Sequence, residues 1–287
     1  MNKKKISLII MLVLLFIGFS VLLYPSISTY WNSKTQSTVI SNYEQFIQSF
    51  SQEDYDKFYA EAVKYNSDLN ELEFPLREYH KIDGYDKAIN LDGTGVMGYI
   101  TIPSIGVELP IYHGTSEDVL VFAAGHMKGT SLPVGGSSTH SVLSAHRGLP
   151  NAKLFTDLDK LQKGDVFTIT VLNRVLTYEV DSILTVKPEN ISDIMVEKGE
   201  DHCTLVTCTP YGVNTHRLLV RGTRIDTLSK KKTYIGAEAY RIDEMVVTPI
   251  VALPMLLIFI LFVVFQPVKT EYFNEGDVFD GKKKESS

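Results

Sequence analysis

The sequence predicts a mostly β domain, a barrel or a sandwich, exported between two membrane-spanning helices and preceded by a helical segment. Three observations predict it. Short β-rich runs separated by Gly, Pro and Asn turns fill the second half of the chain: MGYITI, VELPIY, VLVFA, HSVLSA, DVFTITVL, VLTYEVDSILTV, CTLVTC and HRLLVRGTRI, which is the spacing of an all-β fold. Two uncharged apolar runs, residues 6–23 and 246–265, are each close to the roughly 20 residues that cross a bilayer as a helix. The 287 residues, 44% hydrophobic and 22% charged, suffice for one large domain or two small ones with a real core.

Lys3, Lys4 and Lys5 precede the first run and stay cytoplasmic by the positive-inside tendency. The alternative, a cleaved signal peptide ending near Ser26-Ile27-Ser28, fits less well, because the run exceeds the usual signal core of about 7–15 residues. Apolar residues at helical spacing in YEQFIQSFSQEDYDKFYAEAVKY predict a helical segment over residues 39–73, followed by a linker, IDGYDKAINLDGTG. Two helical insertions are expected among the strands: residues 152–161, closed by Gly164, and 189–196, opened by Pro188. Pro249 and Pro254 in the last apolar run suit a membrane span better than a buried core helix. Two spans return the C-terminus, with Lys282, Lys283 and Lys284, to the cytoplasm. The expected order is therefore a cytoplasmic start (1–5), a span (6–23), an exported helical segment and linker (24–95), the β domain (96–226), a juxtamembrane stretch (227–245), a second span (246–265) and a cytoplasmic tail (266–287). The protein is placed in the cell membrane as a two-pass chain whose main domain lies on the extracytoplasmic face.

Exported cysteines usually pair, yet Cys203 and Cys208 sit in one predicted strand. Their Cα atoms are then about 16 Å apart, against a limit near 7 Å for a bridge, so both are expected as free thiols. Alternation puts Thr204, Val206 and Cys208 on one face and Cys203, Leu205 and Thr207 on the other. In the following strand His216 and Arg217 face opposite ways, so only one of them neighbours Cys208, and strand register decides which. A thiol with an ordinary pKa of about 8.5 needs a neighbouring cation to act as a nucleophile near neutral pH. Arg217 offers that charge and five N–H donors for a developing oxyanion. A histidine would be wanted as proton donor to a leaving amine, and the seven include His126, His140 and His146, the last at a strand tip in HSVLSAHRG. A plain reading stands beside each: a buried structural Cys203, arginines on a solvated edge, a histidine in a turn. His140, His146 and His202 lack metal-ligand spacing, and a net charge of −6 gives no basic footprint for nucleic acid. On spacing alone, a Cys/His/Arg enzyme and an inert exported domain stand level.

These segments resemble the sortases, Gram-positive transpeptidases that attach proteins to the cell surface. TLVTCTP resembles the family's Thr-Leu-x-Thr-Cys signature, which places the nucleophile at Cys208; THRLLVRG resembles the strand carrying the active-site arginine, at Arg217; and LSAHRG matches the histidine segment, at His146. MGYITIPSIGVELPIYHGT, GHMKGTSLPVGG and HRGLPNAKLFTDLDKLQKGD are similar to the pilus-assembling class C branch. The resemblance implies an eight-stranded closed sortase barrel with peripheral short helices. It also implies cleavage of a Leu-Pro-x-Thr-Gly-like signal at Thr–Gly through a thioacyl enzyme, and transfer to a lysine amine of a pilin subunit. Implied partners are pilins or surface proteins with C-terminal sorting signals and the lipid bilayer; no cofactor or metal is implied. An exported cysteine hydrolase, a housekeeping-type sortase anchoring single proteins to the wall, and a non-enzymatic membrane-tethered binding module are the rivals. Many class C members carry an Asp-Pro-aromatic tripeptide on a lid that plugs the cysteine. No Asp-Pro occurs here, so the groove is expected open or covered differently, through Phe74 or Tyr79 in LEFPLREYH.

Overall fold

The computed structural model describes residues 3–227, together with 254–257 and 260. Eight strands close into a barrel in the order β1-β2-β3-β4-β7-β8-β6-β5. They are β1 (Val96–Ile102), β2 (Val107–His113), β3 (Ala124–His126), β4 (Thr139–Ser144), β5 (Val166–Val171), β6 (Arg174–Val186), β7 (Asp201–Thr209) and β8 (His216–Ile225). All neighbouring pairs are antiparallel except β2–β3 and β4–β7. Closure leaves no strand edge to aggregate. Inward residues fill it: Met97, Ile100, Phe167, Ile169, Tyr178, Leu205 and Val220 are all buried in one cluster, and the Phe167 and Tyr178 rings stack at 5.5 Å. Cys203 belongs to that cluster and is fully buried. Burial pushes its thiol pKa up, with Asp201 adding to the effect.

Seven of the eight expected β runs are strands. The exception is VLVFA, which instead ends helix α4 (Glu117–Leu120) and a turn, leaving only the three residues of β3 behind it. Ser116 followed by Glu117 and Asp118 is a helix start, and it overrides the apolar run. The two expected helical insertions are likewise corrected: each holds a single 3-10 turn, Leu158–Lys160 and Ser192–Ile194. The remaining residues of these short segments spend their backbone groups on turns.

Ahead of the barrel, α1 (Lys3–Ile47) is one unbroken helix of 45 residues through Pro25. The helix therefore does not end with the apolar run at residue 23 but continues to Ile47. It is the one helix among the described residues long and apolar enough to cross a membrane. The second expected span, 246–265, lies almost wholly outside the described residues. Helix α2 (Gln52–Asn70) starts at a reciprocal Ser51–Asp54 capping box. Its buried Asn66 donates to the Leu132 carbonyl at 3.2 Å and accepts from the Leu132 N–H at 2.7 Å. The expected linker is packed structure: Tyr85 and Ile89 enter the core, and the Tyr85 hydroxyl donates to His126 Nδ1 at 2.8 Å while accepting from the Gly114 N–H at 3.0 Å.

Two buried histidines make the fold acid-sensitive. Burial lowers His126 to about 4, the Ser131 carbonyl partly opposing and His113 reinforcing. His140 is also lowered to about 4 by burial, opposed by the Met195 carbonyl and reinforced by His202 and Arg221. Because the folded values lie below the unfolded one, both histidines favour folding while neutral above about pH 6.5, and that stability is lost as pH falls towards 4. At 1.36 kcal/mol per pH unit the loss is on the order of 3 kcal/mol per histidine. Denaturant unfolding measured from pH 7 to pH 4 is expected to show this fall, flattened in His140→Gln.

Candidate active site

Strand register answers what alternation left open. Cys208 pairs directly with Arg217 across β7–β8, and Thr209 with His216, so Arg217 shares the outer face with Cys208 and His216 does not. On the other side β4 runs parallel to β7, with Ser144 level with Val206. The pairing continues beyond β4: the Ala145 N–H donates to the Val206 carbonyl at 3.2 Å, and Thr207 Oγ1 donates to the Ala145 carbonyl at 2.8 Å. Two residues past Ser144, His146 comes level with Cys208. The half-buried thiol thus sits on β7 with Arg217 paired to it on β8 and the loop carrying His146 following β4 on its other side, neighbouring strands being about 4.8 Å apart.

Each flank is braced. His146 Nε2 lies 3.2 Å from both carboxylate oxygens of Glu117, the first residue of α4, so that nitrogen carries the proton in the bond and Nδ1 is left for acceptor or donor work. Arg217 Nη1 donates to the carbonyls of Asn214 and His216 at 3.2 and 3.1 Å, which holds the head group at the mouth of the β7–β8 loop. Arg147, its side chain only 9% exposed, bonds Asp159 through Nη2 and Thr209 Oγ1 through Nη1 at 3.4 Å. It ties the His146 loop to the residue after Cys208. Neither Glu117 nor Arg147 was legible as a brace, since both contacts join segments distant in sequence.

Behind Cys208 on the same face lies an apolar floor of Val142, Val206, Leu219 and Ile194, and Leu76 packs onto it from α3 (Pro75–Glu78). Val206 is two residues before Cys208, and Leu219 is its partner across β8. Phe74, the N-cap of α3, is 53% exposed, and Tyr79 packs against the main core; Leu76, between them, covers the floor. The approach is close: a Cβ on Gly129, at φ +85°, would stand 2.7 Å from Leu76 Cα and 2.8 Å from the Pro75 carbonyl oxygen. Among the described residues no group of three or more His, Cys, Asp or Glu is placed to hold a metal ion. His140 and His202 instead meet edge to face at 5.4 Å, away from His146.

The sortase-domain family model matches residues 100–225. Sortase C1 from Streptococcus agalactiae is 49% identical, the match covering 66% of this chain and 98% of that one with a TM-score of 0.61. The chain is a sortase. Such enzymes are cysteine transpeptidases, so the barrel is an enzyme. A pilus-related sortase C of Group B Streptococcus is 44% identical over 65% of this sortase and 97% of its own chain, TM-score 0.58. The curated sortase A of Bacillus anthracis is 28% identical over 235 residues, 80% of this chain and all of that one. Identity is thus higher to the class C structures than to that class A relative.

Proposed function

We propose that the sortase cleaves a Leu-Pro-x-Thr-Gly-like signal between Thr and Gly and transfers the acyl group to a lysine amine of a pilin subunit. Cys208 attacks the threonine carbonyl, and the C–N bond to glycine breaks as a thioester forms. His146 gives the proton to the departing glycine amine and later takes one from the incoming lysine amine. Arg217 holds the carbonyl oxygen as negative charge develops. The observation that supports this reading is the register: Cys208 pairs with Arg217 across β7–β8, and the segment carrying His146 follows β4 on the other side of β7. The pilin preference rests on the greater likeness to class C enzymes. Residues 96–226 act as the catalytic barrel, the stretch 24–95 as its exported support and cover, and α1 as an anchor in the cell membrane. A second span at 246–265 completes a two-pass topology with the barrel outside.

Incubating the protein with a sorting peptide, with and without a pilin domain, tests the chemistry. Mass spectrometry is expected to find an acyl adduct on Cys208 and a lysine-linked product. An adduct resolved only by water would instead make the enzyme a hydrolase, and no adduct at all would remove both readings.

The cover over the groove is proposed to be the Pro75–Leu76 segment seated on Gly129. Burying a leucine side chain stabilises by about 1.5–3 kcal/mol, so Leu76→Ala is expected to open the segment and raise the modification rate of Cys208 by a small thiol reagent on the order of tenfold. Gly129→Ala, which displaces the same backbone, is expected to act alike. Cys203 is too buried to contribute to the signal. Rates equal to wild type in both variants would show the groove already open.

A further inference from the structure

We propose that α1 is a rigid spacer that seats the Cys208 end of the barrel on the membrane surface, with Tyr211 and Val213 of the β7–β8 loop reaching the lipid headgroups; this rests on the membrane-anchor reading of α1. Strand directions define the two ends. Cys208 is the next-to-last residue of β7, His146 follows the parallel β4, and Arg217 is the second residue of the antiparallel β8, so all three lie at one end. Strand β3 is antiparallel to β4, which puts Phe122, just before β3, at that same end. Strand β2 is parallel to β3 and antiparallel to β1, so Met97, near the start of β1, lies at the opposite end. Leu172 is there too, because β5 is antiparallel to β1.

Helix α1 touches both ends in order. Asn32 Nδ2 donates to the Asn151 carbonyl, on the loop after His146, at 2.6 Å, and Gln36 Nε2 to the Phe122 carbonyl at 2.7 Å. Further along, the Tyr43 hydroxyl bonds the Met97 carbonyl at 3.2 Å and the Leu172 N–H at 2.8 Å. The apolar N-terminal half of α1 therefore leaves the barrel on the Cys208 side.

Distance along the helix then sets the height. From Leu23, the end of the apolar run, to Asn32 is nine residues, about 14 Å at 1.5 Å each. A headgroup layer occupies roughly 5–8 Å of that on each side of a bilayer. Tyr24, Tyr30 and Trp31 are all strongly exposed over this stretch, at the level where aromatic residues anchor spans to the interface. The β7–β8 loop projects from the same end. Tyr211 packs beside Gly148, three residues from Asn151: a Cβ there would meet its Cε2 at 2.7 Å. Yet Tyr211 is 60% exposed and Val213 65%. Two exposed apolar side chains in a loop that carries no acidic residue suit an interface of lipid headgroups. The physical consequence is a fixed working height: a signal peptide bond presented just above the bilayer meets Cys208 without the barrel leaving the surface.

Trp31 is the sole tryptophan of the chain, which makes the test direct. The full-length protein is placed in vesicles of phosphatidylcholine and phosphatidylglycerol carrying lipids brominated high on the acyl chains. Wild type reports α1 through Trp31; Trp31→Phe/Tyr211→Trp reports the loop, with Trp31→Phe/Val213→Trp as a second reporter. All three tryptophans are expected to be quenched. A seven-residue helical insertion after Ile27, which lifts the barrel by about 10 Å with nearly the same facing, is expected to abolish loop quenching. It should also slow cleavage of a membrane-anchored substrate while leaving a soluble peptide substrate unaffected. Quenched Trp31 with unquenched loop reporters overturns the docking and leaves the anchor standing. Quenching of the loop only when substrate is added makes it a substrate contact and also overturns the proposal. If Trp31 is unquenched and the protein separates from the vesicles, the anchor reading fails and takes the proposal with it.

Discussion

Replacing Cys208 with alanine is expected to remove the acyl adduct and drop kcat/KM for peptide cleavage by at least about 10⁴-fold, the scale on which losing an essential nucleophile is felt. Stability should barely change. The side chain is half-buried at the end of β7, so truncation leaves no enclosed cavity, and thermal melts of variant and wild type are expected to coincide within a few degrees. Cys203→Ala is the contrasting control. That sulfur is fully buried among Phe167, Tyr178 and Leu205, and its loss is expected to cost on the order of 1 kcal/mol of stability while the adduct on position 208 still forms. Peptide cleavage surviving in Cys208→Ala would show that the strand tip does not supply the nucleophile.

Those two cysteines also show what the sequence could disclose. Alternation along CTLVTC separates an inward Cys203 from an outward Cys208, because a strand has only two faces. Seven strands were legible for the same reason: β-branched and aromatic residues alternate between turn residues, and closing the barrel does not alter that local pattern. Failures came where two local signals competed. In SEDVLVFAAG the Ser116-Glu117-Asp118 helix start overrode the apolar run, and the helices expected before Gly164 and after Pro188 formed only single 3-10 turns. Contacts between distant segments carried no local trace at all. Leu76 on its apolar floor, Glu117 beside His146, and the choice of Arg217 over His216 each depend on register or on packing of remote elements. A one-residue slip between β7 and β8 would have reversed that last choice.

That register sharpens what is expected of Arg217. Arg217→Ala is expected to lower kcat by about 10² to 10³-fold, the usual loss when one donor to a developing oxyanion is removed. Arg217→Lys should recover little of it. Lysine keeps the charge but not the planar fork, and here the fork also serves the structure, because Nη1 is engaged by the carbonyls of Asn214 and His216, which leaves the other nitrogens for a substrate. A lysine ammonium drawn to the same two carbonyls would have no second nitrogen left to present. The reactivity of Cys208 towards a small neutral thiol reagent separates an effect on the thiol from one on the substrate, since that reaction needs no oxyanion site. If Arg217→Lys leaves reagent reactivity near wild type while kcat falls, the guanidinium acts on the substrate carbonyl. A rise in KM at constant kcat would instead assign Arg217 to substrate binding shared by ground and transition states, and the oxyanion role proposed for it would be withdrawn.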